Sequence, residues 1–422
     1  MKQTQLIFYL ILFVLYSNGQ ERFVLSGKVI DSNTKEPLPY ATVAYPDKSI
    51  GTISDLNGNY SLPLVMMKES DSIVVSYIGY ESFKTTVSLC AQEEIIKLIP
   101  LVTEIDEVVV KAQKFNLKLF LKETITIYNK SKPDSPHIAI AHYREKAEEN
   151  NRYIMYMESI GYSVYAGTMS DAAPLSNYKF FCENSKCLVT NPEWVKYTEN
   201  IPGHDIRVVP PSGGSNLNLF RMMELNGILS PKYVGKFSFQ LDSTYYIGNN
   251  AVYSVAYKGK DEIGTIDIYA DSKQVVKIDC NTGGLWSTAF HKRVGTNACI
   301  RFNYFNDTPY ISAISSTYEH KGLKHSINLE ILVQKYFNFE LNKDEYWSLN
   351  SYDNNPYIQY FEGDWMNYNI PKELDYSKIA NDLSSGVKNL EAQFVSYSGR
   401  WFSGKKGNET ARKIIQTLKS NF

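Results

Sequence analysis

Histidines, cysteines, paired acids and glycine-rich turns are the places where this sequence could carry chemistry, and their spacing decides what each could do. His142 and Glu145 stand three apart in His142-Tyr143-Arg144-Glu145, a spacing that two zinc ligands can use. The segment reads as a strand, however, in which residues three apart leave on opposite faces, so the two do not converge on one ion. His320 and His325 flank Lys321-Gly322, a hairpin turn, and no third ligand with an open coordination position completes a site there. The five cysteines are Cys90, Cys182, Cys187, Cys280 and Cys299. Cys182 and Cys187 are close enough in sequence to clip a hairpin or loop, and Cys280 with Cys299 is the other candidate pair. Neither a second CxxC nor a His pair at zinc spacing accompanies Cys182 and Cys187.

Acid pairs such as Asp261/Glu262 and Asp344/Glu345 are adjacent on turns or strand ends, and linear proximity does not make a glycosidase pair. No Gly-x-Ser-x-Gly elbow, P-loop or dinucleotide fingerprint occurs, and Gly213-Gly214-Ser215 reads as a connector. The expectation is therefore no catalytic residue, no metal and no cofactor. Tyr, Trp and Met do crowd the later chain, at Tyr153, Met155, Tyr156, Met157, Trp194, Met222, Met223, Trp286, Trp347 and Trp365. Such residues line either an apolar cavity for an acyl chain or glycan, or an ordinary sheet core.

The elements that must position these groups are mostly strands. In 422 residues, 32 Tyr and 20 Phe favour pleated surfaces, with 24 Gly and 16 Pro as punctuation. Lys and Arg total 44 against 45 Asp and Glu, so no global basic field drives nucleic-acid binding, and that partner is not expected. The chain opens with Lys2, an apolar run from Leu6 to Tyr16 and Ser17-Asn18-Gly19, the layout of a secretory signal peptide over 1–19. Its apolar run is short of the roughly 20 residues that a membrane span needs, and no later run reaches that length. We expect an exported mature chain without a transmembrane span. Five cysteines in such a chain permit pairing without making a disulfide scaffold.

Short β-prone runs recur at Phe23–Ile30, Ala41–Tyr45, Gly58–Leu62, Ile73–Tyr77 and Ile95–Leu98, which predict an antiparallel sandwich over 20–102. Asp55-Leu56-Asn57-Gly58 reads as a structural turn, having too few oxygen ligands for calcium. Within this span Gly27-Lys28-Val29, Pro37 to Val43, Gly51 to Tyr60 and Ile73 to Tyr80 resemble the carboxypeptidase-regulatory-like domain, a transthyretin-like sandwich. The resemblance implies an accessory module of envelope proteins without peptidase chemistry. The family's catalytic domain normally precedes the sandwich, which also argues against a zinc role for His142 and Glu145. The resemblance extends to Ile105-Asp106-Glu107-Val108-Val109-Val110, similar to the segment that follows this domain in TonB-dependent receptors. Asp106, Glu107, Val108, Val109 and Val110 are thus the partner-binding candidates, able to add as a strand to a partner's sheet edge. A last strand and linker, 103–113, is the plainer reading, and the regular alternating segments of a receptor barrel do not follow.

From Phe115 to Lys130, Leu117, Phe120, Leu121, Thr124, Ile125 and Tyr128 make a helical stripe, stopped by Ser131 to Pro136. A long hairpin, His137–Lys146 and Arg152–Tyr165, turns at Glu148 to Asn151. A helix at Leu217–Asn226 and strands at Lys236–Tyr246, Ala251–Tyr257, Glu262–Tyr269, Gln274–Asp279, Ala298–Phe305, Tyr310–Tyr318 and Lys324–Val333 follow. This layout over 114–340 resembles the lipoprotein-carrier (LolA/LolB-like) half-barrel. The helical stripes Ile379, Leu383, Val387, Leu390, Phe394 and Ala411, Ile414, Ile415, Leu418 predict a closing segment over 341–422. Its Arg400, Lys405, Lys406, Arg412, Lys413 and Lys419 form a basic tail.

The expected fold class is mainly β: an N-terminal transthyretin-like sandwich, then a large antiparallel half-barrel with a few packing helices. The expected function is noncatalytic, binding an outer-membrane or periplasmic protein, or a hydrophobic, lipid or glycan ligand, in the envelope. The alternative is a hydrolase of envelope polymers with an unrecognised site.

Overall fold

The computed structural model describes chiefly residues 23–100, 115–165, 178–189, 215–333 and 373–397, apart from short stretches within these spans. The signal segment 1–19, the candidate strand Asp106–Val110, Asp344/Glu345 and most of the basic tail lie outside the described residues.

The N-terminal strands form two sheets. One has the order β4(Asn59–Leu64), β1(Phe23–Asp31), β7(Ile95–Leu98), with β1 antiparallel to β4 and parallel to β7. The other runs β3(Ile50–Ile53), β2(Thr42–Tyr45), β5(Ser72–Ser76), β6(Phe83–Thr86), all antiparallel. Alternate residues such as Leu25, Val29, Val43, Tyr45, Leu62, Ile73, Val75 and Ile96 meet in one core, which a short helix α1(Val87–Gln92) closes with Val87 and Cys90. The family-like residues hold its turns. Asp55 accepts the backbone N–H groups of Asn57 at 2.8 Å and Asn59 at 2.9 Å, so it is a turn acid and not a calcium ligand. Asp31 accepts those of Asn33 and Thr34 and the Tyr80 hydroxyl, at 2.6, 2.9 and 2.5 Å.

The third sheet has ten antiparallel strands and does not close. Its order is β10(Tyr178–Val189), β9(Arg152–Tyr165), β8(His137–Glu149), β17(Leu323–Val333), β16(Thr308–His320), β15(Lys292–Phe305), β14(Val275–Ser287), β13(Glu262–Tyr269), β12(Asn250–Lys258), β11(Ser238–Ile247). The β8–β9 reversal uses Asn150 and Asn151 at φ 51° and 66°, the left-handed region that asparagine tolerates. Gly322, at φ +80°, turns β16 into β17.

Helices α2(Leu117–Ser131) and α3(Ser215–Asn226) fill one face of this sheet, which we call the inner face. Asn116 caps α2 by accepting the Leu119 N–H at 3.0 Å, and Phe120, Leu121, Ile125 and Tyr128 enter the core as the stripe predicts. They meet Val255, Ile266, Ile278, Ile300 and Leu329 from five strands, with Leu219, Phe220 and Met223 from α3. On the opposite face of β9 and β10, α4(Tyr376–Leu383) and α5(Leu390–Tyr397) pack Ile379, Leu383 and Phe394 onto Tyr153, Tyr156 and Leu188. Coverage on both faces explains why β9 is buried almost continuously instead of alternately. Among the described residues, no helix is long and apolar enough to cross a membrane.

Candidate functional site

The concave interior is largely filled, and the recess we identify lies at one end of it. There the C-terminal end of α2 and the face of α3 meet the start of β8, the end of β9, the β15–β16 turn and the end of β17. The result is a shallow cleft, open to solvent at its mouth. Tyr128, Phe220 and Phe302 wall it, the Tyr128 and Phe302 rings meeting edge-on at 5.8 Å and Phe220 and Phe302 tilted at 5.9 Å. His137 stands at the rim, its ring 5.3 Å from Tyr310 and 4.9 Å from Tyr165. Ala139, Ile311 and Ile331 complete the apolar surface.

One charged cluster borders the aromatic wall. The buried Glu224 carboxylate accepts from the Tyr128 hydroxyl at 2.9 Å and from Arg221 Nη1 at 2.7 Å, and Lys132 Nζ lies 3.5 Å away. Lys132 lines the cleft itself, at the C-cap of α2, where Pro133 stops the helix. The arrangement offers aromatic and aliphatic walls with a few polar groups at one edge, the composition of a small-ligand recess.

The candidates from sequence are dispersed by the pleat. His142 and Glu145 do diverge: His142 Nε2 lies 3.2 Å from Glu158 on the outer face, whereas Glu145 faces inward, 2.6 Å from His325 Nε2. His320 and His325 are not brought together, since their strand partners are Leu323 and Tyr318. Among the described residues no group of three or more His, Cys, Asp and Glu is placed to hold a metal.

The expected cysteine pairs are corrected. Cys280 sits opposite Ala298 and Cys299 opposite Asp279, so the two thiols leave opposite faces of adjacent strands, and both are free. Cys182 and Cys187 lie along the single strand β10, whose extension separates their backbones too far for a clip. Burial pushes the Cys90 and Cys280 thiols above the usual range, and burial with the Asp279 hydrogen bond and charge pushes Cys299 up to about 11. None of these is an activated nucleophile.

Glu262 opens β13, separate from the turn residue Asp261, and accepts from Tyr257 Oη at 2.7 Å. Burial raises its carboxyl, against the opposing hydrogen bonds from Tyr257 and the Ile228 backbone. Among the described residues, the aromatic and methionine crowd does not line the cleft either. Tyr153 and Tyr156 lie under α4 and α5, and Met223 packs into the filled core, 4.0 Å from Cys280 sulfur to sulfur. Trp194, Trp347 and Trp365 lie outside the described residues. Sequence reading missed the actual walls; the available signal was aromatic residues at several strand ends together with Lys132-Pro133 after an amphipathic helix.

Two solved structures are similar over roughly half of the chain. A DUF1329 family protein from Desulfovibrio piger is 9% identical, with a TM-score of 0.26 over 54% of this chain and 95% of its own. A LolA superfamily protein from Nitrosomonas europaea is 9% identical, with a TM-score of 0.23 over 54% of this chain and 96% of its own. Scores in this range carry no functional conclusion, so the ligand chemistry rests on the cleft. No curated protein matches the chain in sequence. Residues 25–110 match the family model of the CarboxypepD_reg-like domain, a span that takes in the sandwich and continues through Asp106–Val110.

Proposed function

We propose that this chain is a noncatalytic envelope protein, exported to the periplasmic side of the outer membrane, whose half-barrel binds a small apolar ligand in the cleft at the end of α2. The observation that carries this reading is the cleft's wall, in which Tyr128, Phe220 and Phe302, all nearly buried, present aromatic surface to a recess that opens to solvent. An acyl end or a ring is the occupant that such walls favour, through apolar area removed from water. The sandwich is the docking module of this reading, with Asp106–Val110 adding as a strand to a partner's sheet edge. The raised thiols and the separated His–Glu pairs support a binding role over a hydrolytic one.

Native mass spectrometry of the mature protein, gently purified from its own envelope, tests the reading. Added mass from a lipid, glycan or other small apolar molecule is the expected result. A bare chain that also fails to take up small apolar probes would sink ligand binding and leave the docking role alone.

A further inference from the structure

We infer that the cleft selects a ligand whose apolar group carries an anionic head, and that Lys132 is the residue that reads the charge. This rests on the cleft being the ligand site. Glu224 is served by three donors of unequal quality. Tyr128 Oη at 2.9 Å and Arg221 Nη1 at 2.7 Å are at full hydrogen-bond distance, whereas Lys132 Nζ at 3.5 Å lies beyond it. The carboxylate therefore keeps its two good donors when the ammonium turns away.

Lys132 is also the more accessible cation, its side chain 18% exposed against 10% for Arg221. Its backbone is fixed by the N–H bond to Tyr128 O at 2.9 Å, while the four-carbon stem can swing and offer three donors. A neutral ligand in this mouth would strip water from the ammonium without replacing it, which is costly beside apolar walls. A carboxylate or phosphate oxygen replaces that water with a charge-assisted hydrogen bond. The C-terminal carbonyls of α2 disfavour an anion nearby, but this screened helix-end effect is weaker than a direct bond to an ammonium. The ligand class is thus a short acyl chain or ring ending in a carboxylate or phosphate.

Calorimetric titration of the full chain with octanoate, octyl phosphate and 1-octanol, plus acetate and inorganic phosphate, tests this. We expect at least one of the two anionic amphiphiles to bind about tenfold tighter than octanol, with the preferred one naming the head group. In Lys132→Gln the ratio should fall to about one, and in Lys132→Arg, which keeps the charge, most of it should return. Octanol binding as tightly as both anions, or selectivity unchanged in Lys132→Gln, overturns the inference and leaves the cleft reading standing. Acetate or inorganic phosphate binding as tightly as its octyl counterpart overturns the amphiphile class. No binding by any of the octyl probes overturns the cleft reading and this inference together.

Discussion

His142 and Glu145, three residues apart on β8, leave opposite faces of the sheet, and each closes a different buried carboxylate–histidine contact. Outward, His142 Nε2 lies 3.2 Å from Glu158 Oε1, which also accepts from Arg144 at 2.5 Å. Inward, Glu145 accepts from the Tyr143 hydroxyl at 2.6 Å and lies 2.6 Å from His325 Nε2. The sequence motif that resembles half a zinc site is thus two structural clasps, one above and one below the same strand.

The inner clasp should be costly to open. Glu145 is fully buried, and replacing it with alanine removes an acceptor from both Tyr143 and His325 and leaves a void. Leaving a buried hydrogen-bond partner unsatisfied typically costs about 1–3 kcal/mol. We expect Glu145→Ala to lower the urea midpoint accordingly, and Glu145→Gln to lose less because its carbonyl still accepts. A midpoint for Glu145→Ala within experimental error of the parent would show that the clasp does not hold the sheet.

The outer clasp sets an acid limit. Burial alone would push the Glu158 carboxyl up, but the His142 hydrogen bond and the Arg144 charge outweigh it and hold the group well below the usual carboxylate range. A carboxyl depressed on folding contributes stability above its unfolded pKa, about 4.3, and that contribution is lost as pH falls toward the folded value. Stability measured by denaturant unfolding should therefore decline below about pH 4.3, and the decline should be shallower in Glu158→Gln. Identical pH slopes for the two proteins would contradict the assignment.

The same face holds the C-terminal helices through charge as well as apolar packing. Glu373 lies 3.0 Å from Lys146 Nζ and 3.4 Å from Arg144 Nε, and the Tyr153 hydroxyl donates to Asp375 at 2.9 Å. Glu373→Ala leaves Ile379, Leu383 and Phe394 in place but removes the carboxylate that faces the buried Arg144 and the half-buried Lys146. Faster hydrogen exchange confined to 376–397 is expected, with the strands of the inner core unchanged. Exchange rates in 376–397 equal to those of the parent would mean that apolar packing alone docks these helices.

How much of this could be read in the sequence depends on where each signal lies. Strands β9 and β13 and the apolar stripe of α2 were legible because their pattern is local: a long aromatic run, a glycine-led alternation, and contacts at helical spacing. Strand β10 was not, since Lys179, Glu183, Asn184, Ser185 and Lys186 make it polar, and its register comes from pairing along β9. Strands β3 and β6 were missed for a similar reason, being four residues each and defined by β2 and β5. The pleat argument separated His142 from Glu145 correctly. The same argument would have separated Cys280 from Cys299 had the register of β14 on β15 been known, and register is a tertiary property. The cleft was invisible because its walls come from seven elements, none of which carries a motif.

The thiols provide a chemical check on the register. With Cys299 pushed up to about 11 by burial and by Asp279, it should alkylate slowly at neutral pH, and its rate should rise about tenfold per pH unit until that value is approached. Cys90, Cys187 and Cys280, all buried, should react only on unfolding. Peptide mapping after iodoacetamide treatment reads each site separately. A Cys280–Cys299 disulfide in the native protein would refute the pairing of β14 with β15.

Gly58 tests the sandwich independently of the half-barrel. It ends the Asp55 turn at φ +79°, with the Val29 carbonyl pressed against the place where a Cβ would stand. Its own N–H donates to Asp55 O at 2.9 Å, and its carbonyl accepts the Val29 N–H at 2.8 Å. Gly58→Ala thus meets both the left-handed penalty, roughly 1 kcal/mol or more, and a clash with the central strand β1. Because β1 bridges β4 and β7, the displacement should spread to that whole sheet. In an isolated 20–113 fragment we expect a loss of more than about 2 kcal/mol or failure to fold. In the full chain, hydrogen exchange should rise in β1, β4 and β7 while β8, β9 and β17 keep their protection. Equal loss of protection in the ten-stranded sheet would instead make the two parts one cooperative unit, and the sandwich could not then be treated as a separable docking module.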